Sequence, residues 1–110
     1  MNLNEVESIL RNWGESQGCI RSIYVFGSRL KGTPRDNSDL DVILVIDRLP
    51  SDSSEFTTFA CEKEKWQEEL TKLIGWEVRM IRYDLNDPDS TPKARDYLEG
   101  AKLVYQQKGV

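Results

Sequence analysis

Val6, Ile9, Leu10 and Trp13 recur at spacings of three and four, the repeat of a helix that buries one side. The spacing predicts a helix from Asn4 to Asn12 or Gln17. Asn4 followed three residues later by Glu7 resembles a capping box, and Gly14 or Gly18 is the candidate stop. Two apolar runs follow, Ile20–Phe26 and Val42–Ile46, each short, rich in Val and Ile and bounded by Gly, Pro, Asn or Asp. Such runs read as buried strands. The second is apolar throughout, so it is expected to be central and covered on both faces. The polar stretch between them carries turn chemistry at Thr33-Pro34-Arg35-Asp36-Asn37 and is too long to demand a tight hairpin. Arg48 to Asp52 breaks the strand. A second helix is expected from Asp52 or Glu55 to about Ile74, with Phe56, Phe59, Ala60, Trp66, Leu70, Leu73 and Ile74 as its buried stripe and Gly75 as its stop. Its charged face, from Glu62 to Glu69, reads as solvated, with support from helix-spaced pairs.

From Trp76 to Tyr83 the pattern alternates, with Trp76, Val78 and Met80 on one face and Glu77, Arg79 and Ile81 on the other. That alternation predicts a third strand. A polar loop, Asp84 to Ser90, leads to Thr91-Pro92, an N-cap and first helical position, and to a helix ending at Glu99 and Gly100. Leu103-Val104-Tyr105 is the candidate for a short last strand. The elements together describe a small mixed sheet of three or four strands flanked by helices.

At 110 residues the whole chain, 1–110, is expected to form one domain. The net charge is −4, so no global field favours nucleic acid, and direct nucleic-acid binding is not expected. Cys19 and Cys61 form no disulfide pattern, so a reducing, cytoplasmic setting is the default expectation. No signal region opens the sequence, and no apolar run reaches membrane-spanning length. Histidine is absent altogether. Any catalysis must therefore rest on carboxylates and metals.

The stretch between the first two strands concentrates the candidate chemistry. Gly27-Ser28 ends the first apolar run, where backbone N–H groups can approach an anion without obstruction. Ser28 to Lys31 is expected to make a short helical turn closed by Gly32, with Ser28 as its cap, as a phosphate donor, or as both. Asp39 and Asp41, two apart at the entry to the second strand, point to one face. Two carboxylates so close are unfavourable without a cation between them. Arg29, Lys31 and Arg35 are a solvated loop or a counter-charge for a triphosphate. Gly27 to Thr33 partly mimics a P-loop but lacks the lysine after the second glycine. A calcium loop is excluded by the missing turn glycine and terminal glutamate. The arrangement points to a metal-dependent site for a nucleoside triphosphate.

Gly27-Ser28, ten intervening residues and Asp39-Leu40-Asp41 in strand context resemble the motif of the DNA-polymerase-beta-like nucleotidyltransferases. The length and the form FGSRLKG…NSDLDV resemble the smallest branch, the minimal nucleotidyltransferases often encoded beside a HEPN-domain protein. The resemblance implies the α/β (α+β) polymerase-beta-like nucleotidyltransferase fold. It also implies transfer of a nucleoside monophosphate, AMP from ATP or the equivalent from another triphosphate, to a hydroxyl acceptor. In relatives the acceptor can be a tyrosine of a HEPN-type toxin, so a protein partner is expected, and a homo-oligomer stays open. By the same resemblance Gly27 and Ser28 bind the triphosphate, Arg29 and Lys31 contact phosphates, and Asp39 and Asp41 are catalytic ligands of Mg²⁺.

One position departs from the family. A third carboxylate generally follows the long helix on its strand, where it helps hold a second metal and activate the attacking hydroxyl. The simplest alignment puts Arg79 there, which weakens the nucleophile side of a two-metal displacement while leaving triphosphate binding intact. Glu77 shares the Arg79 face, about 6 to 7 Å along the strand, and is the candidate substitute ligand. Asp84 has the wrong parity. The alternative to an enzyme is a degenerate nucleotidyltransferase acting as an antitoxin or nucleotide-binding module through its partner.

Overall fold

The computed structural model describes residues 3–26, 40–47 and 49–107. The elements run α1 (Leu3–Ser16), β1 (Ile20–Phe26), β2 (Leu40–Ile46), α2 (Glu55–Ile74), β3 (Val78–Arg82), a 3-10 turn (Pro88–Ser90), α3 (Pro92–Leu98) and β4 (Lys102–Gln106). The strands form one mixed sheet in the order β3-β2-β1-β4. β1 is antiparallel to both β2 and β4, while β2 and β3 run parallel. A parallel pair needs a crossover, and α2 supplies it.

Alternation along β2 assigns the two faces of the sheet. Leu40, Val42, Leu44 and Ile46 join α1 and α2 in the main core, and Val78 and Met80 extend that face onto β3. Asp41, Ile43 and Val45 point the other way. Ile43 and Val45 are nonetheless buried, because α3 lies on that side and Leu85 stands beside Val45. β2 is thus central and covered on both faces, as its apolar run requires. At the bottom of the main core Trp13 and Trp66 meet edge to face, centroids 5.9 Å apart at 86°.

Local chemistry fixes the boundaries. Ser54 caps α2 by accepting from the Thr57 N–H at 3.2 Å, and Gly75 ends it at a left-handed φ of 85°. Asp52, expected near the helix start, accepts instead from the Thr58 hydroxyl at 2.7 Å. α1 runs through Gly14 and stops at Ser16, and Gly18 carries the left-handed φ of 55°. Gly14 has a packing role: a Cβ there would lie 2.8 Å from Tyr105 Cδ2. The outer edge of β3 is closed by α2 side chains, with Gln67 Oε1 accepting from Met80 N at 2.9 Å and Thr71 Oγ1 from Val78 N at 3.1 Å.

Several expectations need correction. α1 begins at Leu3, so Asn4 lies inside its first turn and no capping box forms. Glu7 is buried and meets Lys102 Nζ of β4 at 2.6 Å. It belongs to the β4-facing side of α1, where desolvation is offset by that cation. Phe56 and Leu73 are 62% and 55% exposed, and Ala60 is exposed. Thr58, by contrast, is buried with α2's Trp66, Leu70 and Ile74. The Phe56 ring instead carries the Arg82 guanidinium 5.2 Å from its centroid, a cation–π contact. Glu69 is not simply solvated, since it accepts from Trp13 Nε1 at 3.1 Å. Thr91 precedes α3 as expected, yet its hydroxyl oxygen accepts from Asp84 N at 3.2 Å rather than capping the helix.

Arg82 also pairs with Glu55 and lies 3.7 Å from Asp84. Burial raises the Glu55 carboxyl above its ordinary 4.5, with the Arg82 hydrogen bond and charge opposing. A folded-state pKa above the unfolded one means the folded protein binds the proton more tightly. The contribution of Glu55 is therefore fully present below pH 4.5 and is lost as pH rises through the raised value. Urea unfolding at stepped pH is expected to show a shallower decline over that window in Glu55→Gln than in the wild type.

Candidate active site

β2 starts at Leu40, so Asp41 stands one residue into the strand on the face opposite the main core. The register places Phe26 of β1 and Arg79 of β3 on either side of it. Neighbouring strands lie about 4.8 Å apart, so a phenyl ring, a carboxylate and a guanidinium form one row across the sheet. These three, with Ile81, form the floor of a cleft of about 610 Å³. Its opposite wall is α3 and the turn after it, through Lys93, Asp96, Tyr97 and Gly100. Phe26 and Tyr97 stack at 4.6 Å with ring planes 16° apart, which fastens α3 to the end of β1.

The cleft therefore sets Asp41 and Asp96 against Arg79 and Lys93, over an apolar patch from Ile81 and the two rings. A charged phosphoryl group and its cation are matched by such a site, which an apolar ligand would leave unpaired. Arg79 shares register with Asp41, so the strand position beside this carboxylate holds a cation.

The other predicted site residues fall in two groups. Gly27, Ser28, Arg29, Lys31 and Asp39, together with the turn expected from Ser28 to Gly32, lie outside the described residues. Glu77 is described, exposed, and just ahead of β3; its carbonyl accepts from Leu40 N at 2.8 Å. Its side chain lines a separate depression beside α2, with Gln67, Thr71 and Lys72, and does not line the cleft of Asp41. Among the described residues no group of three His, Cys, Asp or Glu side chains could hold a metal. The donor chemistry fits one hard ion on oxygen, from Asp41 with Asp39 two residues before it. It does not fit a second ion at Arg79, where like charge would repel it.

Phe26, Lys93, Asp96 and Tyr97 were not singled out by pattern. A signal was present, since Lys93, Asp96, Tyr97 and Gly100 recur at helical spacing and so share one side of α3. What the sequence lacked was the sheet face that α3 covers. Cys19 and Cys61 are both free thiols, and burial raises the Cys19 thiol above its ordinary value. Among the described residues no helix is long and apolar enough to cross a membrane.

A family model described as "Polymerase beta, Nucleotidyltransferase" matches residues 6–108. Solved structures of the same fold include a toxin–antitoxin complex with AMP-PNP, at 21% identity and TM-score 0.63, covering 96% of this chain and 76% of that one. A mutant toxin–antitoxin complex, MntA-HpeT, matches at 20% identity and TM-score 0.64, covering 98% and 76%. A candidate nucleotidyltransferase from Sulfolobus solfataricus matches at 19% identity and TM-score 0.51, covering 94% and 78%. No curated protein matches.

Proposed function

Because the chain belongs to the polymerase beta nucleotidyltransferase family, we propose that it transfers AMP from ATP to a hydroxyl on a protein partner. The observation that carries this reading is the row Phe26–Asp41–Arg79 at the floor of a cleft whose wall adds Lys93. A structural neighbour that is a toxin–antitoxin complex with AMP-PNP supports both a nucleotide and a protein partner. By resemblance the acceptor is a tyrosine of a HEPN-type toxin.

Asp41, with Asp39, would hold Mg²⁺, which when bound supplies charge neutralisation on the phosphates. By resemblance Gly27 and Ser28 would bind the triphosphate through backbone and hydroxyl donors, and Arg29 and Lys31 would contact phosphates. Arg79 and Lys93 add fixed positive charge on the sheet and on α3, which offsets the negative charge of the reacting α-phosphate. The acceptor oxygen bonds to the α-phosphorus as the bond to pyrophosphate breaks, and the hydroxyl proton leaves to solvent. Arg79 holds the place of the carboxylate that would help remove that proton, so the acceptor's own surroundings must activate it.

Charge-assisted hydrogen bonds contribute roughly 1.5–3 kcal/mol each. Arg79→Ala is accordingly expected to slow labelling of the copurified partner by α-labelled ATP about 10- to 100-fold. Label on the partner with the wild type supports transfer, and ATP bound without label transfer overturns it.

A second reading follows from the same arginine. With a cation in register beside Asp41, the domain could bind nucleotide without turnover, or act as an antitoxin by occlusion. Asp39→Asn separates the two. If the variant still neutralises a co-encoded toxin in growth assays, occlusion holds and transfer does not.

A further inference from the structure

We propose that Tyr97 is the nucleobase platform of this site, the base stacking on the ring face turned away from Phe26. This inference rests on the nucleotide reading above and adds where the base goes. Tyr97 is 47% exposed although it stacks on Phe26, and it lines the cleft that holds Asp41 and Arg79. The ring is also held in place. Phe26 backs it at 4.6 Å, Ala94 buries the inner side of α3, and the Thr91 hydroxyl ties the start of the helix to Asp84. An aromatic surface fixed in this way loses little entropy when a flat ligand stacks on it.

The surroundings match the rest of a nucleotide. Lys93 lies one helical turn before Tyr97, and Arg79 and Asp41 share the same cleft. Phosphates and their cation are thereby served by charged groups, while the apolar base meets a π face. Stacking tolerates any base because every base has a π face. The platform is expected to favour purines by their larger overlap rather than to read one base by hydrogen bonds. The phenolic hydroxyl has no part in it.

The test compares Mg²⁺-ATP with Mg²⁺-tripolyphosphate, which lacks base and sugar, by calorimetry on the wild type, Tyr97→Phe and Tyr97→Ala. Tyr97→Ala is expected to weaken ATP about 5- to 100-fold and to leave tripolyphosphate unchanged. Tyr97→Phe should bind ATP within about twofold of wild type, because the π face is kept. The wild type itself should prefer ATP to tripolyphosphate, a comparison that needs no variant to fold. Equal affinity of the wild type for the two ligands overturns the platform and leaves a phosphate site standing. Equal losses for both ligands in Tyr97→Ala overturn it too, since the ring would then only hold α3 in place. A wild type that binds neither ligand overturns the nucleotide reading itself.

Discussion

Asp41→Asn is expected to lower nucleotide transfer by about 10²- to 10³-fold, the scale on which a preorganised electrostatic group acts. The amide keeps the shape of the side chain but removes the charge that would hold a hard cation. Asp41 stands beside Arg79 in register, so the change also leaves the guanidinium facing a neutral neighbour. Stability should move little, because Asp41 is only half-buried and lies outside the main core. Initial rates of partner labelling with α-labelled ATP, with a thermal melt as control, check both halves. Unchanged rates would remove Asp41 from the chemistry.

The largest effect on folding is expected at Trp66. Its side chain is 2% exposed and meets Trp13 edge to face at 5.9 Å. Trp13 is in turn fixed by Glu69 at 3.1 Å, so one substitution loosens the joint between α1 and α2. Trp66→Ala deletes a large apolar side chain and leaves a cavity, at a cost of about 3–5 kcal/mol. For a domain of this size that corresponds to a fall in Tm of more than about 10 °C. Urea unfolding followed by far-UV circular dichroism measures it. A loss below about 1 kcal/mol would mean that the Trp13–Trp66 contact is not part of a close-packed core.

Much of the fold was legible because its signals are local. The unbroken run Val42–Ile46 announced a strand buried on both sides, and that strand is the centre of the sheet. The alternation around Arg79 put Val78 and Met80 in the core and Arg79 in the open. The errors came from long-range partners. Glu7 read as a local cap, but its partner Lys102 is supplied by β4 at the far end of the sequence. Phe56 and Leu73 fit the spacing of a buried stripe on α2, yet they are exposed. Helical periodicity gives the direction of a face and not the extent of the sheet beneath it. The α3 wall of the cleft was illegible for a related reason. A seven-residue helix does not reveal which face of a sheet it will cross, and Lys93 and Tyr97 acquire a role only once that face is known.

Calorimetric titration of ATP into the wild-type protein, with and without Mg²⁺, tests the central claim most directly. The account predicts binding that requires Mg²⁺ and disappears in Asp41→Asn. Failure of the protein and its partner complex to bind any nucleoside triphosphate, or affinity indifferent to both Mg²⁺ and Asp41, would contradict it.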